Sequence, residues 1–183
     1  MNRMDSVHTS ELFASHDALL ARAEVDSIEA LFRQHALYVA TIALRVLGSN
    51  DAVDDVVQDT FVIALKQVKT LRDPQAVRAW LATTAVRLAT RKLRRRRLRQ
   101  FLWARENVAV VPTSIAATSE QRVLLTQAYR ILDRLPVDER VAWLLRYVED
   151  AKLEDIASWC GCSLATAKRR IAAAQTALDE EMQ

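Results

Sequence analysis

Two glycines and three prolines are all the turn material in 183 residues. Hairpins and closely spaced strands need residues that tolerate a left-handed or fixed backbone, and this chain has almost none. Its bulk is Ala, Leu, Arg and Glu-type residues, which are strong helix formers. The expected fold class is therefore all-α. The periodicity divides it into two small helical domains joined by a linker, the second containing a helix-turn-helix. The expected boundaries are an N-terminal extension over 1–25, a first domain over 26–100, a linker over 101–118 and a second domain over 119–183.

Charge is segregated along the chain. Residues 66–119 carry thirteen Lys or Arg against two Asp or Glu, a net of +11 in a chain whose total is +3. Residues 50–65 carry four acidic side chains and no basic one. Self-repulsion on that scale opposes folding, so a polyanionic partner accounts for it best. An exposed basic stripe that releases counterions from phosphate is the footprint of nucleic-acid binding. A solvated helix end rich in arginine is the plainer account, but the neighbouring motifs argue against it.

Other classes find little support. No stretch reaches the ~18 apolar residues of a membrane span. Glu11, His16, Asp17 and Arg22 interrupt any apolar export core. Cys160 and Cys162, two residues apart, form neither a disulfide framework nor a zinc site, and the histidines His8, His16 and His35 lie far away. The expectation is a cytoplasmic protein with no cofactor, no metal and no enzymatic activity.

The first domain opens with a capping-box pattern, Asp26…Glu29. Ile28, Leu31, Phe32, His35, Val39, Ile42, Ala43 and Val46 then recur at helical spacing, and Gly48 is placed to end the helix as a left-handed cap. The next helix starts near Asp51. Its expected buried stripe is Val53, Val56, Val57, Phe61, Ala64, Leu65 and Val68. Asp51, Asp54, Asp55, Gln58 and Asp59 lie opposite. Acids in a first turn cap a helix, but Asp59 sits two turns in. With no basic neighbour in the sequence, this face suggests a docking surface for a basic partner. A metal site there lacks any histidine.

Asp73-Pro74 marks a third helix, with Asp as N-cap and Pro at the first helical position. Val77, Trp80, Leu81, Thr84 and Leu88 are expected inward. Arg78, Arg87, Arg91, Arg94 and Arg95 form a basic flank running into the arginine run. The preceding segment, residues 67–72, adds Lys69 and Arg72. A basic loop beside a basic helix makes a groove, which suits a single strand as well as a duplex. Residues 106–118 lose both period and charge, as a linker does.

Helical spacing returns with Leu124, Leu125, Ala128, Ile131, Leu132 and Leu135, breaks at Pro136, and resumes with Val141, Leu144, Leu145 and Val148. Residues 153–171 then read as a helix-turn-helix. Ala157 allows close crossing, Gly161 makes the turn, and Ser163 caps the second helix. Ala167, Ile171, Ala174 and Leu178 are expected inward. Thr166, Lys168, Arg169 and Arg170 cluster where a recognition helix meets bases and phosphates.

Three segments, in order, resemble a known family. Residues 51–61 resemble the D-A-E-D-L-V-Q-E-T-F helix of bacterial extracytoplasmic-function sigma factors of RNA polymerase. Leu71-Arg72-Asp73-Pro74…Ala79-Trp80-Leu81, leading into the arginine run, resembles their promoter-melting helix. Leu135-Pro136…Arg140…Leu144-Leu145-Arg146-Tyr147, followed by Ile156-Ala157…Gly161-Cys162-Ser163…Thr166…Lys168, resembles their C-terminal helix-turn-helix.

The resemblance implies roles. Asp51, Asp54, Asp55, Gln58 and Asp59 would dock on the β′ coiled coil of core RNA polymerase. Lys69, Arg72, Arg78, Trp80, Arg87, Arg91, Arg94 and Arg95 would engage the minus-ten element and a flipped base. Ser163, Thr166, Lys168, Arg169 and Arg170 would engage the minus-thirty-five element, with the C-terminal domain also on the β flap. An anti-sigma factor is a further implied partner. The chain departs from many relatives at Thr84, Arg87, Ala167, Arg169, Ala172 and Ala173, which removes any base-by-base reading of the promoter. The competing class is a stand-alone helix-turn-helix regulator, which needs no acidic docking helix.

Overall fold

The computed structural model describes residues 28–67, 74–103 and 119–181, and those residues form seven helices and no strand. They are α1 (28–47), α2 (Val53–Gln67), α3 (Pro74–Trp103), α4 (Ser119–Leu132), α5 (Val137–Tyr147), α6 (Leu153–Cys160) and α7 (Leu164–Glu181). The all-α expectation holds. The third helix runs to Trp103 and so passes the expected boundary at residue 100. Asp26, Val68, Lys69, Arg72, Asp73 and the linker 106–118 lie outside the described residues.

α1 ends as its sequence requires. The Gly48 amide donates to the Leu44 carbonyl at 2.8 Å, and Gly48 has φ of +69°. Only a residue without Cβ takes that conformation freely. Val39, Ile42, Ala43 and Val46 are buried as expected.

The α1 and α2 stripes differ from expectation at one edge. Phe32 and Leu65 are 44 % and 43 % exposed. Thr60 is fully buried instead, in line with Val56 and Ala64. Its hydroxyl donates to the Val56 carbonyl at 2.7 Å, so burial leaves no unmet donor. The helix rotates this row into the core and leaves Val57 and Leu65 along an open groove.

α3 is the spine of the molecule. It packs against α2 and also against α5 and α6. Val77, Leu81 and Leu88 are buried as expected, but so are Ala82, Ala85, Val86, Ala89 and Leu93. Trp80 and Thr84 are half-buried. A helix covered on more than one side cannot show a single apolar stripe, and its alanines let neighbouring helices approach closely.

The second half folds around α5 and α7. Val141, Leu144 and Leu145 of α5 are buried, as are Ala167, Ile171, Ala174 and Leu178 of α7. Gly161 caps α6 with φ of 63°. The Cys162 amide returns to the Ala157 carbonyl at 2.9 Å, which makes the sharp turn between α6 and α7. The Thr166 amide donates to the Ser163 Oγ at 3.2 Å, the expected N-cap of α7.

The halves do not hang apart. One apolar core runs from Val39 and Leu81 in the first to Val141, Ile156 and Ile171 in the second. A smaller cluster joins Tyr129, Ile131, Leu132, Leu144 and Leu178. At the seam Arg140 of α5 is fully buried. It donates to the Leu47 carbonyl at 3.0 Å, pairs with Asp133, and lies 5.9 Å from the centre of the Tyr129 ring. The carbonyls at the end of α1 are unpaired within the helix and carry its negative dipole end, which suits a cation. Arg45 and Glu149 form an ion pair across the seam.

Candidate nucleic-acid interface

The α2 acids are outward. Asp51, Asp54, Asp55, Gln58 and Asp59 are all exposed. They are not, however, without a basic neighbour. Lys92 of α3 reaches Asp55 at 2.9 Å and Asp59 at 3.9 Å. Sequence spacing could not show this, because Lys92 arrives from another helix. Asp54 and Gln58 also line an apolar groove of about 550 Å³ with Ile28, Phe32, Phe61 and Leu65. The rings of Phe32 and Phe61 meet edge to face, 4.9 Å apart.

Along α3 the expected basic residues divide. Arg78 stacks on the Tyr38 ring at 4.2 Å, so its charge is outward but its plane is held. Arg91 and Arg95 are exposed and have no partner among the described residues. Arg87 is exposed and points its Nη2 at the Ser158 carbonyl, 3.5 Å away. Arg94 donates to Asp138 Oδ1 at 2.5 Å.

The arginine run is not uniformly exposed. Arg96 donates to the Ser49 hydroxyl at 3.2 Å and the Leu47 carbonyl at 3.3 Å. Arg97 donates to the Asp133 carbonyl at 2.7 Å. Burial lowers the pKa of both, and the adjacent Arg96 charge lowers Arg97 further. Arg97 thereby joins the halves of the molecule, and Arg96 ties α3 to the end of α1 while lying 3.8 Å from Asp133 of the second half.

In the helix-turn-helix, Lys168 and Arg169 are fully outward. Ser163 and Thr166 share a hydroxyl–hydroxyl bond of 2.9 Å, so both serve the cap of α7. Arg170 is half-buried and donates to Asp138 Oδ2 at 3.1 Å. The nearby Cys160 thiol is pushed up to about 12, by burial first and then by Cys162.

Lys92, Asp133, Asp138 and Arg140 organise these surfaces, and sequence periodicity did not single them out. Arg140 had one signal, its place in the Leu-Pro…Arg motif. The others are polar residues on helix faces whose partners lie far off in the chain. Among the described residues no cluster of His, Cys, Asp and Glu could hold a metal, and no helix is long and apolar enough to cross a membrane.

Comparison with known proteins supplies the family. The Sigma-70 region 2 family matches residues 31–99, and the Sigma-70 region 4 family matches residues 125–178. RNA polymerase sigma factor SigV of Bacillus subtilis is 29% identical over 134 residues, covering 71% of this chain and 75% of its own. ECF RNA polymerase sigma factor EcfG of Rhodopseudomonas palustris is 31% identical over 137 residues, covering 74% of each. Among solved structures, the sigma factor RpoE of Bartonella quintana, in complex with the anti-sigma factor NepR, superposes with a TM-score of 0.63 at 24% identity. That match covers 83% of this chain and 94% of RpoE. CnrH, solved with the cytosolic domain of CnrY, gives 0.58 at 23% and covers 90% and 95%. Both family matches fall on the two helical halves, in the order the motifs have in the sequence. The chain belongs to the extracytoplasmic-function sigma factors of RNA polymerase: it is an alternative sigma factor that initiates transcription, not a stand-alone regulator.

Proposed function

We propose that the two outward surfaces divide the work of initiation between them. The acidic face of α2 and the turn before it, through Asp51, Asp54, Asp55, Gln58 and Asp59, docks on the β′ coiled coil of core polymerase. Residues 67–72 and α3 open the minus-ten element, with Arg91 and Arg95 on phosphates. α7 enters the minus-thirty-five major groove through Lys168 and Arg169, and its domain rests on the β flap. One observation carries this reading: the carboxylates along α2 are exposed, and so are Arg91 and Arg95 of α3, which have no partner among the described residues. Acids that served only as helix caps would stop at the first turn, and Asp59 does not.

The protein acts as a non-enzymatic initiation factor in the cytoplasm. RpoE and CnrH have each been solved with a partner, NepR and the cytosolic domain of CnrY. We infer that this chain is likewise held by an anti-sigma factor.

The test is binding and promoter opening with purified core polymerase. Asp55→Arg with Asp59→Arg should keep the helical content and weaken binding to core at least tenfold. Unchanged binding would sink the docking assignment. A promoter that opens with wild-type chain and core, and with neither alone, supports the division of labour.

A further inference from the structure

Asp138, in the first turn of α5, holds two arginines assigned above to different promoter elements. Its Oδ1 accepts from Arg94 Nη2 at 2.5 Å, and its Oδ2 accepts from Arg170 Nη2 at 3.1 Å. Arg94 belongs to α3 and Arg170 to the recognition helix α7. A carboxylate with a guanidinium on each oxygen presents the charge and acceptors that a DNA phosphate would present. The Asp138 side chain is 34 % exposed, so solvent and a competing anion can reach it.

The surroundings favour the same closed state. Arg97 and Arg140 bind carbonyls across the seam at 2.7 and 3.0 Å. The apolar core beneath is continuous. Yet Asp54 and Gln58 of the acidic face stay exposed in that state. The closed packing therefore leaves the polymerase-docking face open while it occupies part of the DNA face.

We propose that Asp138 is an internal phosphate mimic: it masks Arg94 and Arg170 in the free chain, and promoter phosphate displaces it. This rests on the reading that α3 and α7 bind DNA. Its consequence is that the free chain binds DNA more weakly than its exposed charge suggests, and that opening of the two halves raises that affinity.

The experiment uses the full chain carrying Asp138→Asn, which keeps the side-chain shape and removes the charge. Two readouts are taken. The first is the rate at which phenylglyoxal modifies Arg94 and Arg170, without DNA, with Arg91 as the internal reference. The second is affinity for a promoter duplex across a salt series. Glu180→Gln, the same charge change at an exposed site away from these arginines, is the control. Thermal unfolding by circular dichroism confirms that each variant folds.

Both pairs are partly exposed, so the expected gain is modest: about three- to tenfold in each readout. The salt slope should steepen by about one to two units as the freed arginines reach phosphate. Unchanged modification rates in Asp138→Asn would overturn the proposal. So would faster modification with an affinity gain no larger than that of Glu180→Gln. In that second case Arg91→Ala decides the underlying reading. Lost affinity there keeps α3 as a DNA surface, and unchanged affinity removes it. Should Asp138→Asn fail to fold, Arg94 modification relative to Arg91 is read in the wild type across a sodium chloride series. A relative gain as salt screens the pair supports the mask, and no gain overturns it.

Discussion

Gly48 makes the space that Arg140 fills. A Cβ on Gly48 would sit 2.6 Å from Arg140 Nη2 and 3.1 Å from the Tyr129 ring. Those two residues come from α5 and α4, more than eighty positions further along the chain. The glycine thus ends α1 and also admits the second half of the molecule against the first. Gly48→Ala adds a steric overlap to backbone strain, since φ is +69° there. The expected loss is about 2–4 kcal/mol of unfolding free energy, measured by urea denaturation. Gly48→Asn relieves the strain but not the overlap, and should recover less than half.

The arginine run should divide in two by experiment. Arg91→Ala and Arg95→Ala remove outward charges, and each should flatten the salt dependence of DNA binding by about one unit while stability stays within ~0.5 kcal/mol. Arg96→Ala and Arg97→Ala break hydrogen bonds to backbone carbonyls in half-buried surroundings. They should lower stability by about 1–3 kcal/mol. Equal salt slopes for all four variants would contradict the division.

Cys160 should be chemically quiet in the folded chain. Its thiol is raised from an ordinary 9.0 to about 12 by burial, so little thiolate exists at pH 8.5. Alkylation by iodoacetamide should be at least ~100-fold slower folded than unfolded. The sign for stability follows from proton binding. Between pH 9 and 12 the unfolded thiol loses its proton while the folded one keeps it. Stability therefore falls as pH rises through that window, and Cys160→Ala should lessen the fall.

The recognition helix carries two exposed cations with no partner among the described residues. Lys168 and Arg169 are exposed, whereas Arg170 is engaged by Asp138. Arg169 is flanked by the exposed Ala165, Ala172 and Ala173, so its approach to a base edge is unobstructed. Arg169→Ala should relax preference at one or two upstream base pairs by ~1–3 kcal/mol, and Lys168→Ala should weaken binding evenly. Promoter selection with each variant separates these. A changed preferred sequence for Lys168→Ala alone would reverse the assignment of the helix face.

Local chemistry made much of this protein legible in advance. Scarce glycine and proline meant helices, and Gly48, Gly161 and Ser163 announced where helices end or begin, because those positions depend on one residue's own backbone or side chain. The α7 core positions, Ala167, Ile171, Ala174 and Leu178, followed from spacing alone, since that helix is covered on one side. The acids of α2 and the cations of α7 were visible as patterns of charge.

Pairing between distant segments was not visible. Lys92 beside Asp55, Asp138 between Arg94 and Arg170, and Arg140 beneath Gly48 are each meetings of residues at least 32 positions apart. No local propensity encodes them. α3 shows why most clearly. A helix that packs on both halves buries alanines and leucines around more than one face, so its stripe blurs just where its position matters most. Which arginines of its run hold the fold together and which stay exposed was decided largely by where the second half came to rest.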